Sequence, residues 1–265
     1  IPLMGSAGFE IEEYPYYDKT SHSINIDAMM ETLNRVPAGD VVLLHGCCHN
    51  PTGADLQPEH WDQIADIALE RGFIPFIDIA YQGLGQGLDA DAYGLRMMAD
   101  RLPELLVASS CSKNFGLYRE RTGSITLVAE SAEQAKIVSA QSMSIARQIY
   151  SMPPAHGALL VSLILGDDQL RANWQAELEE VRLRIKAMRT LLTDGINDNA
   201  AGMDFSHIKQ QQGMFSFLGI TSDQLNRLRD EFAIYIVGST RVNLAGINST
   251  NIDYLTQSIR TVLDS

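Results

Sequence analysis

The chain is short of positive charge. Its 265 residues carry 20 Lys and Arg against 33 Asp and Glu, a net charge of -13 and a pI near 4.8. That balance excludes a nucleic-acid backbone or an anionic membrane as the main partner, since both repel an acidic surface. Small anions stay open, because a few local arginines outweigh a distant net charge. Lysine is the scarcer cation, present only as Lys19, Lys113, Lys136, Lys186 and Lys209. Cysteine is limited to Cys47, Cys48 and Cys111. An odd count with two neighbours makes a poor disulfide framework and points to a reducing cytoplasm. No apolar run reaches the roughly 18 residues of a membrane span. The opening Ile1-Pro2-Leu3-Met4-Gly5 has no charged stretch before an apolar one, so no secretory leader is expected there.

What is present reads as α/β. With 45% hydrophobic and 20% charged residues, the composition is that of a globular chain with a core. Short apolar runs predict strands at Val41–Leu44, Phe73–Ile79, Leu105–Ala108 and Ser124–Val128. Their near-continuous apolarity predicts helices on both sheet faces. Between the first two, Trp61, Ile64, Ala65, Ala68 and Leu69 recur at helical spacing over 58–71, with Gly72 as the stop. A long helix is predicted over 167–193, ended by Gly195, with Leu170, Trp174, Leu178, Val181, Ile185, Met188, Leu191 and Leu192 as its apolar residues. Beyond it come strands at Met214–Leu218, near Tyr235 and near Val242. A helix opens on the capping box Thr221-Ser222-Asp223-Gln224, and a final helix carries the stripe Ile252, Leu255, Ile259, Val262, Leu263. The expected division is a large domain over residues 1–180 and a small α+β domain over 181–265.

Polar residues gather just after the strands, where open α/β sheets bind ligands. His45-Gly46-Cys47-Cys48-His49-Asn50-Pro51-Thr52-Gly53 follows the first strand. Asp78-Ile79-Ala80-Tyr81 ends the second. Ser110-Cys111-Ser112-Lys113-Asn114-Phe115-Gly116-Leu117-Tyr118-Arg119-Glu120-Arg121 follows the third. A lysine there can form a Schiff base with an aldehyde, and hydroxyls with an arginine can hold a phosphate. Each piece also has a plainer reading. A lone lysine is usually a solvated charge, and an Asp at a strand end is commonly a turn residue. Ser110-Cys111-Ser112-Lys113 fits the S-x-x-K pattern of acylating serine enzymes, but the chain has no K-T-G. The histidines and cysteines of 45–49 could be read as zinc ligands. Adjacent cysteines at a strand exit are expected to point apart, so no metal site is assigned. Gly83-Leu84-Gly85-Gln86-Gly87 lacks the G-x-G-x-x-G order of a dinucleotide site and reads as a flexible turn.

Taken together, the three pieces resemble the active site of the aspartate/aromatic aminotransferases, class I enzymes that use pyridoxal 5'-phosphate (PLP). The resemblance covers about residues 1 to 265. It implies a fold-type I PLP-dependent transferase, with a partial, mostly parallel large domain and a small α+β domain. It implies that Lys113 holds PLP as a Schiff base and later moves the α-proton. Asp78 would pair with the pyridine nitrogen. Tyr81 and Asn50 would hydrogen-bond the ring's phenolic oxygen, and Ser110, Ser112 and Arg121 would hold the phosphate. By the same resemblance Arg241 clamps the substrate α-carboxylate, with Asn50 alongside and Phe215 as an apolar wall. Arg147 would reach into the neighbouring subunit of a homodimer with shared active sites and bind the side-chain carboxylate. The implied reaction is amino transfer from aspartate, or an aromatic amino acid, to 2-oxoglutarate, with only small-molecule substrates as further partners.

Two departures from the family pattern stand out. Gly238-Ser239-Thr240-Arg241 replaces a Ser-Gly-Arg run, and Met152 replaces an asparagine. Family members also carry a segment before the point matching Ile1. An alternative expectation is therefore a truncated, catalytically impaired member acting as a non-catalytic or complementing subunit.

Overall fold

The computed structural model describes residues 2–198 and 201–264. A short helix α1 (Pro2–Ser6) precedes a hairpin of β1 (Tyr17–Asp18) and β2 (Ser23–Ile24), and α2 (Ile26–Leu33) leads into the sheet. There β3 (Val41–His45), α3 (Pro58–Arg71), β4 (Ile74–Ile79), α4 (Tyr93–Arg101), β5 (Leu105–Ser110) and β6 (Gly123–Val128) follow in turn. The strand order is β3-β4-β5-β6, parallel up to β5, with β6 antiparallel at the edge. This is the mostly parallel α/β sheet that the alternation predicts. Three helices come next: α5 (Ala132–Tyr150), α6 (His156–Gly166) and the 30-residue α7 (Asp168–Asn197). The C-terminal part holds α8 (Ser206–Gln210), β7 (Phe215–Phe217), α9 (Ser222–Phe232), β8 (Arg241–Asn243) and α10 (Ile252–Leu263), with β7 and β8 antiparallel.

Local chemistry explains where the helices start and stop. Pro58 sits in the first turn of α3, where a missing N–H is harmless. Gly72 ends that helix at φ 77°, its N–H bonded to Ala68 O at 2.8 Å. The Thr221 and Gln224 side chains cap α9 reciprocally, as the sequence predicts.

Several expectations need correction. Helices do not cover both sheet faces. Val42, Leu44, Ile77, Ile79, Leu105 and Val107 are buried with Trp61 and Ile64 of α3 and Met98 of α4. On the other face Val41 and Leu43 are exposed, as is Ile125 of the edge strand, and α5 buries none of its residues. Leu69 lies on the solvent side of α3, and Leu170, Val181 and Leu191 lie off the buried face of α7. The long helix also runs through Gly195 to Asn197. Gly195 is a close-approach residue, since a Cβ there would stand 2.6 Å from Thr256 Cγ2. No strand forms near Tyr235. Ala233 turns left-handed at φ 52° to close α9, and Tyr235 projects into solvent.

The α3–α4 contact is tight enough to test. A Cβ on Gly94 would fall 2.3 Å from the buried Trp61 ring. Indole cannot yield at that distance without leaving its rotamer or shifting α4. Gly94→Ala should therefore destabilise the protein by about 1–3 kcal/mol, read as a lower urea midpoint with an unchanged m-value.

Candidate active site

The carboxyl ends of the parallel strands place the site. Register sets His45 beside Asp78 and Asp78 beside Ala108, all on the less covered face. The loop after β3 carries Asn50, whose peptide bond to Pro51 is cis. The loop after β5 carries Lys113. From the C-terminal part, β7 brings Phe215 and β8 brings Arg241.

Five of the expected residues meet in one chain of contacts. Lys113 Nζ lies over the Tyr81 ring, 4.7 Å from its centroid. The Tyr81 hydroxyl accepts from Asn50 Nδ2 at 3.5 Å, and Asn50 Oδ1 accepts from Arg241 Nη1 at 3.1 Å. The Arg241 guanidinium sits 4.5 Å above the Phe215 ring, which meets Tyr81 edge-on at 6.3 Å between centroids. Burial raises the Tyr81 pKa, Asp78 adds to the rise, and Arg241 opposes it, so the phenol keeps its proton at neutral pH. His45 is lowered by burial despite the Asp78 charge, which leaves a neutral imidazole beside that carboxylate.

The remaining expected residues are placed differently. Ser110 Oγ donates to Ser112 Oγ at 3.0 Å and accepts from Ser112 N at 3.1 Å, a compact hydroxyl pair at the end of β5. Arg121 is exposed, with left-handed backbone at φ 52°, and its Nη1 donates to Tyr118 O at 3.0 Å, away from the serines. Arg147 is exposed on α5 and is not part of the contact chain.

The neighbouring thiols require another correction. Cys47 and Cys48 do not point apart. Cys48 has left-handed backbone at φ 51°, and both sulfurs lie with an Asp91 oxygen inside 4.8 Å of one another. That group is still a poor metal centre. Asp91 already accepts from the N–H groups of Gly83 at 2.8 Å, Gly85 at 3.0 Å and Gln86 at 2.7 Å. The hydrogen bond between the thiols lowers the Cys47 pKa and raises that of Cys48. Burial, Asp91 and Asp55 then leave both raised, and a protonated thiol is a weak ligand. The same three bonds show that the 83–87 turn is fixed around Asp91 rather than flexible.

The half-buried His49 makes the fold sensitive to acid. Its ring stacks on Tyr16 at 4.1 Å and bonds Thr52 Oγ1 at 2.8 Å. Burial, with His45 adding, lowers its pKa to about 3. The unfolded chain takes up this proton near pH 6.5 and the folded chain only near pH 3, so stability falls as pH drops through that window. The urea midpoint should decline between about pH 6.5 and 4, and His49→Gln should flatten that slope.

Sequence reasoning missed a half-buried carboxylate and a buried arginine next to the site. Asp55 accepts from the N–H groups of Cys48 and His49, and Arg189 sits on α7 at 2% exposure. Only Arg189 left a trace in the pattern, as an arginine four residues after Ile185 and three before Leu192 on an apolar stripe.

Comparison with known proteins follows the same lines. The family model for aminotransferase class I and II matches residues 2–259. An aspartate aminotransferase of Haemophilus influenzae is 51% identical over 261 residues, spanning 98% of this chain and 66% of the relative. An aromatic-amino-acid aminotransferase of Pseudomonas aeruginosa is 45% identical over 260 residues, spanning 98% of this chain and 65% of the relative. A crystal structure of an aromatic-amino-acid aminotransferase from Burkholderia pseudomallei, covalently bound to pyridoxal phosphate, superposes with a TM-score of 0.97 at 43% identity, over 99% of this chain and 66% of that one. The chain thus spans about two thirds of the length of the relatives it matches.

Proposed function

Because the chain belongs to the class I and II aminotransferase family, we propose that it moves the amino group of aspartate, or of an aromatic amino acid, to 2-oxoglutarate with PLP as cofactor. The observation that carries this reading is the contact chain Lys113–Tyr81–Asn50–Arg241 at the carboxyl end of the sheet. The donor set fits the cofactor. Lys113 has the Tyr81 face as its neighbour, and among the described residues no hydrogen bond reaches the Asp78 carboxylate. An amine over the Tyr81 ring and a carboxylate at the end of β4 are thus both available to hold a pyridoxal ring. When bound, PLP supplies an electron sink for the pair left behind as the α-proton departs.

The chain's own residues do the rest. Lys113 would anchor the cofactor and carry the α-proton. Asp78 holds a proton on the ring nitrogen by its negative charge. Tyr81 and Asn50 offer hydrogen bonds to the ring oxygen. Ser110, Ser112 and Arg121 would hold the phosphate, although Arg121 Nη1 here donates to Tyr118 O. Arg241 already has its planar fork against Asn50 and Phe215, and it clamps the substrate α-carboxylate there. This fixes the α-carbon within reach of Lys113.

Arg147 is assigned to the side-chain carboxylate, across a homodimer. Support for a covered surface is the exposed apolar set around it on α5 and after it, namely Ile137, Met143, Ile145, Ile149 and Met152. Division at about residue 180, within α7, belongs to the same reading. The first half of α7 meets the sheet side through Trp174 Nε1 to Asn114 O at 2.8 Å. The second half meets the C-terminal part through Arg184 Nη1 to Ile247 O at 3.0 Å. A cytoplasmic location belongs to the same proposal, supported by an odd cysteine count that makes a poor disulfide framework. No described helix is long and apolar enough to cross a membrane.

The test is the half-reaction. The purified chain is loaded with PLP and its visible spectrum followed as aspartate, then tyrosine, is added. Conversion of the bound band to the pyridoxamine form, with stoichiometric oxo acid released, supports the proposal. A bound band that neither amino acid changes would defeat it.

A further inference from the structure

Asp55 and Arg189 take no part in the chemistry above, yet Arg189 is a buried charge and Asp55 a half-buried one, and such charges are tolerated only when their hydrogen bonds are made. Arg189 makes them all to one segment. Its Nε donates to Gly213 O at 3.1 Å and its Nη1 to Ile208 O at 2.7 Å. Its Nη2 is shared among Gln212 O at 2.7 Å, Gly213 O at 2.8 Å and Phe215 O at 2.5 Å. Only a planar fork with five donors can bind that many carbonyls at once. Asp55 does the complementary work on the loop after β3. Its Oδ2 accepts from Cys48 N at 2.6 Å and its Oδ1 from His49 N at 2.7 Å.

The two segments held in this way lie against each other. Gln212 N donates to Gly53 O at 2.7 Å. A Cβ on Gly53 would stand 2.7 Å from Phe215 O and 3.1 Å from Arg189 Nη2. A Cβ on Gly213 would stand 2.4 Å from Cys48 Cβ. Gly53 meets backbone carbonyls and Gly213 meets the Cys48 side chain and Cα, so a shift of either segment presses on the other. One carries Asn50 and the other Phe215, the residues that Arg241 touches on its two sides.

Resting on the proposed aminotransferase reading, we infer that Asp55 and Arg189 are positioning residues for the substrate site, fixing how far the Asn50 loop stands from the Phe215 strand. Neither contacts substrate; each acts through backbone. A shift of about 1 Å at such a seat is enough to change binding and rate strongly.

Burial pushes Asp55 up to about 6, against the N–H groups of His49 and Cys48 and the charge of Arg189, while Asp91 pushes the same way as burial. Tyr16, Cys47 and Cys48 also face it and respond to its charge. Below that pH the carboxylate gains a proton, and one of the two N–H groups then faces an oxygen that accepts more weakly. Substrate affinity should weaken with it.

The test uses Asp55→Asn and Arg189→Lys in the PLP-loaded chain, with succinate as a dicarboxylate probe that cannot react. Succinate should bind roughly 10- to 100-fold more weakly to either variant, with PLP loading changed far less. The step in succinate affinity near pH 6 should vanish in Asp55→Asn. Amide exchange at Cys48 and His49 should be about tenfold faster or more in that variant. Folded variants with wild-type succinate affinity and wild-type exchange overturn the inference. So does failure of both variants to fold, which would leave only a stabilising role. If the wild-type chain does not load PLP, the proposed function fails instead, and amide exchange alone decides this inference.

Discussion

Lys113→Ala removes the protein-linked absorbance of bound PLP and slows aspartate-dependent oxo acid release by roughly 100- to 10,000-fold. The proposal gives this side chain both the anchoring and the proton-carrying role, so no neighbour can take over. The other lysines are Lys19, Lys136, Lys186 and Lys209, and among the described residues Lys113 is the lysine over the Tyr81 ring. Lys113→Arg keeps the charge over the Tyr81 ring but cannot condense with an aldehyde at neutral pH, and it should be as inactive as the alanine variant. Single-turnover absorbance separates the two roles, since a variant that binds PLP without reacting differs from one that loses it. Activity of Lys113→Ala within a few-fold of wild type would remove the lysine from the mechanism.

Arg241→Ala has the next largest expected effect. Its guanidinium joins Asn50 Oδ1 and the Phe215 ring, so truncation removes the carboxylate clamp and frees both neighbours. Loss of one partner of a desolvated, hydrogen-bonded charge pair amounts to about 2–5 kcal/mol, or roughly 30- to 5,000-fold in kcat/KM. Most of that loss should appear in KM for aspartate, with PLP loading intact. Arg241→Lys should recover little, because an ammonium cannot present two parallel N–H donors. A loss in kcat alone, with KM unchanged, would mean that the arginine does not bind the ground-state carboxylate.

Much of the site was legible because strand ends are readable from sequence. Apolar runs mark β3, β4 and β5, and the polar residues just beyond them have to converge once those strands lie parallel. Asn50, Asp78 and Lys113 follow from that alone. Phe215 and Arg241 required the resemblance, since nothing local says that β7 and β8 swing back to the sheet. Asp55 and Arg189 stayed hidden because each holds backbone of its own segment, and those segments meet only in the fold, through Gln212 N and Gly53 O, which no spacing encodes. The Cys47–Cys48 pair was misjudged for a related reason. Side-chain alternation holds only while the backbone is extended, and Cys48 turns left-handed. Apolarity of β3 and β6 overstated their covering, because sequence reports what a face prefers and not what lies against it. Gly195 looked like a helix stop, but the Thr256 contact that demands a glycine comes from α10.

The most direct test of the central assignment is to trap the cofactor where it is held. The purified chain is incubated with PLP, reduced with borohydride and digested, and the modified lysine is located by mass spectrometry. The account predicts a single stable modification at Lys113, lost when aspartate is added before reduction. Modification only at Lys19, Lys136, Lys186 or Lys209, or none at all, would contradict it.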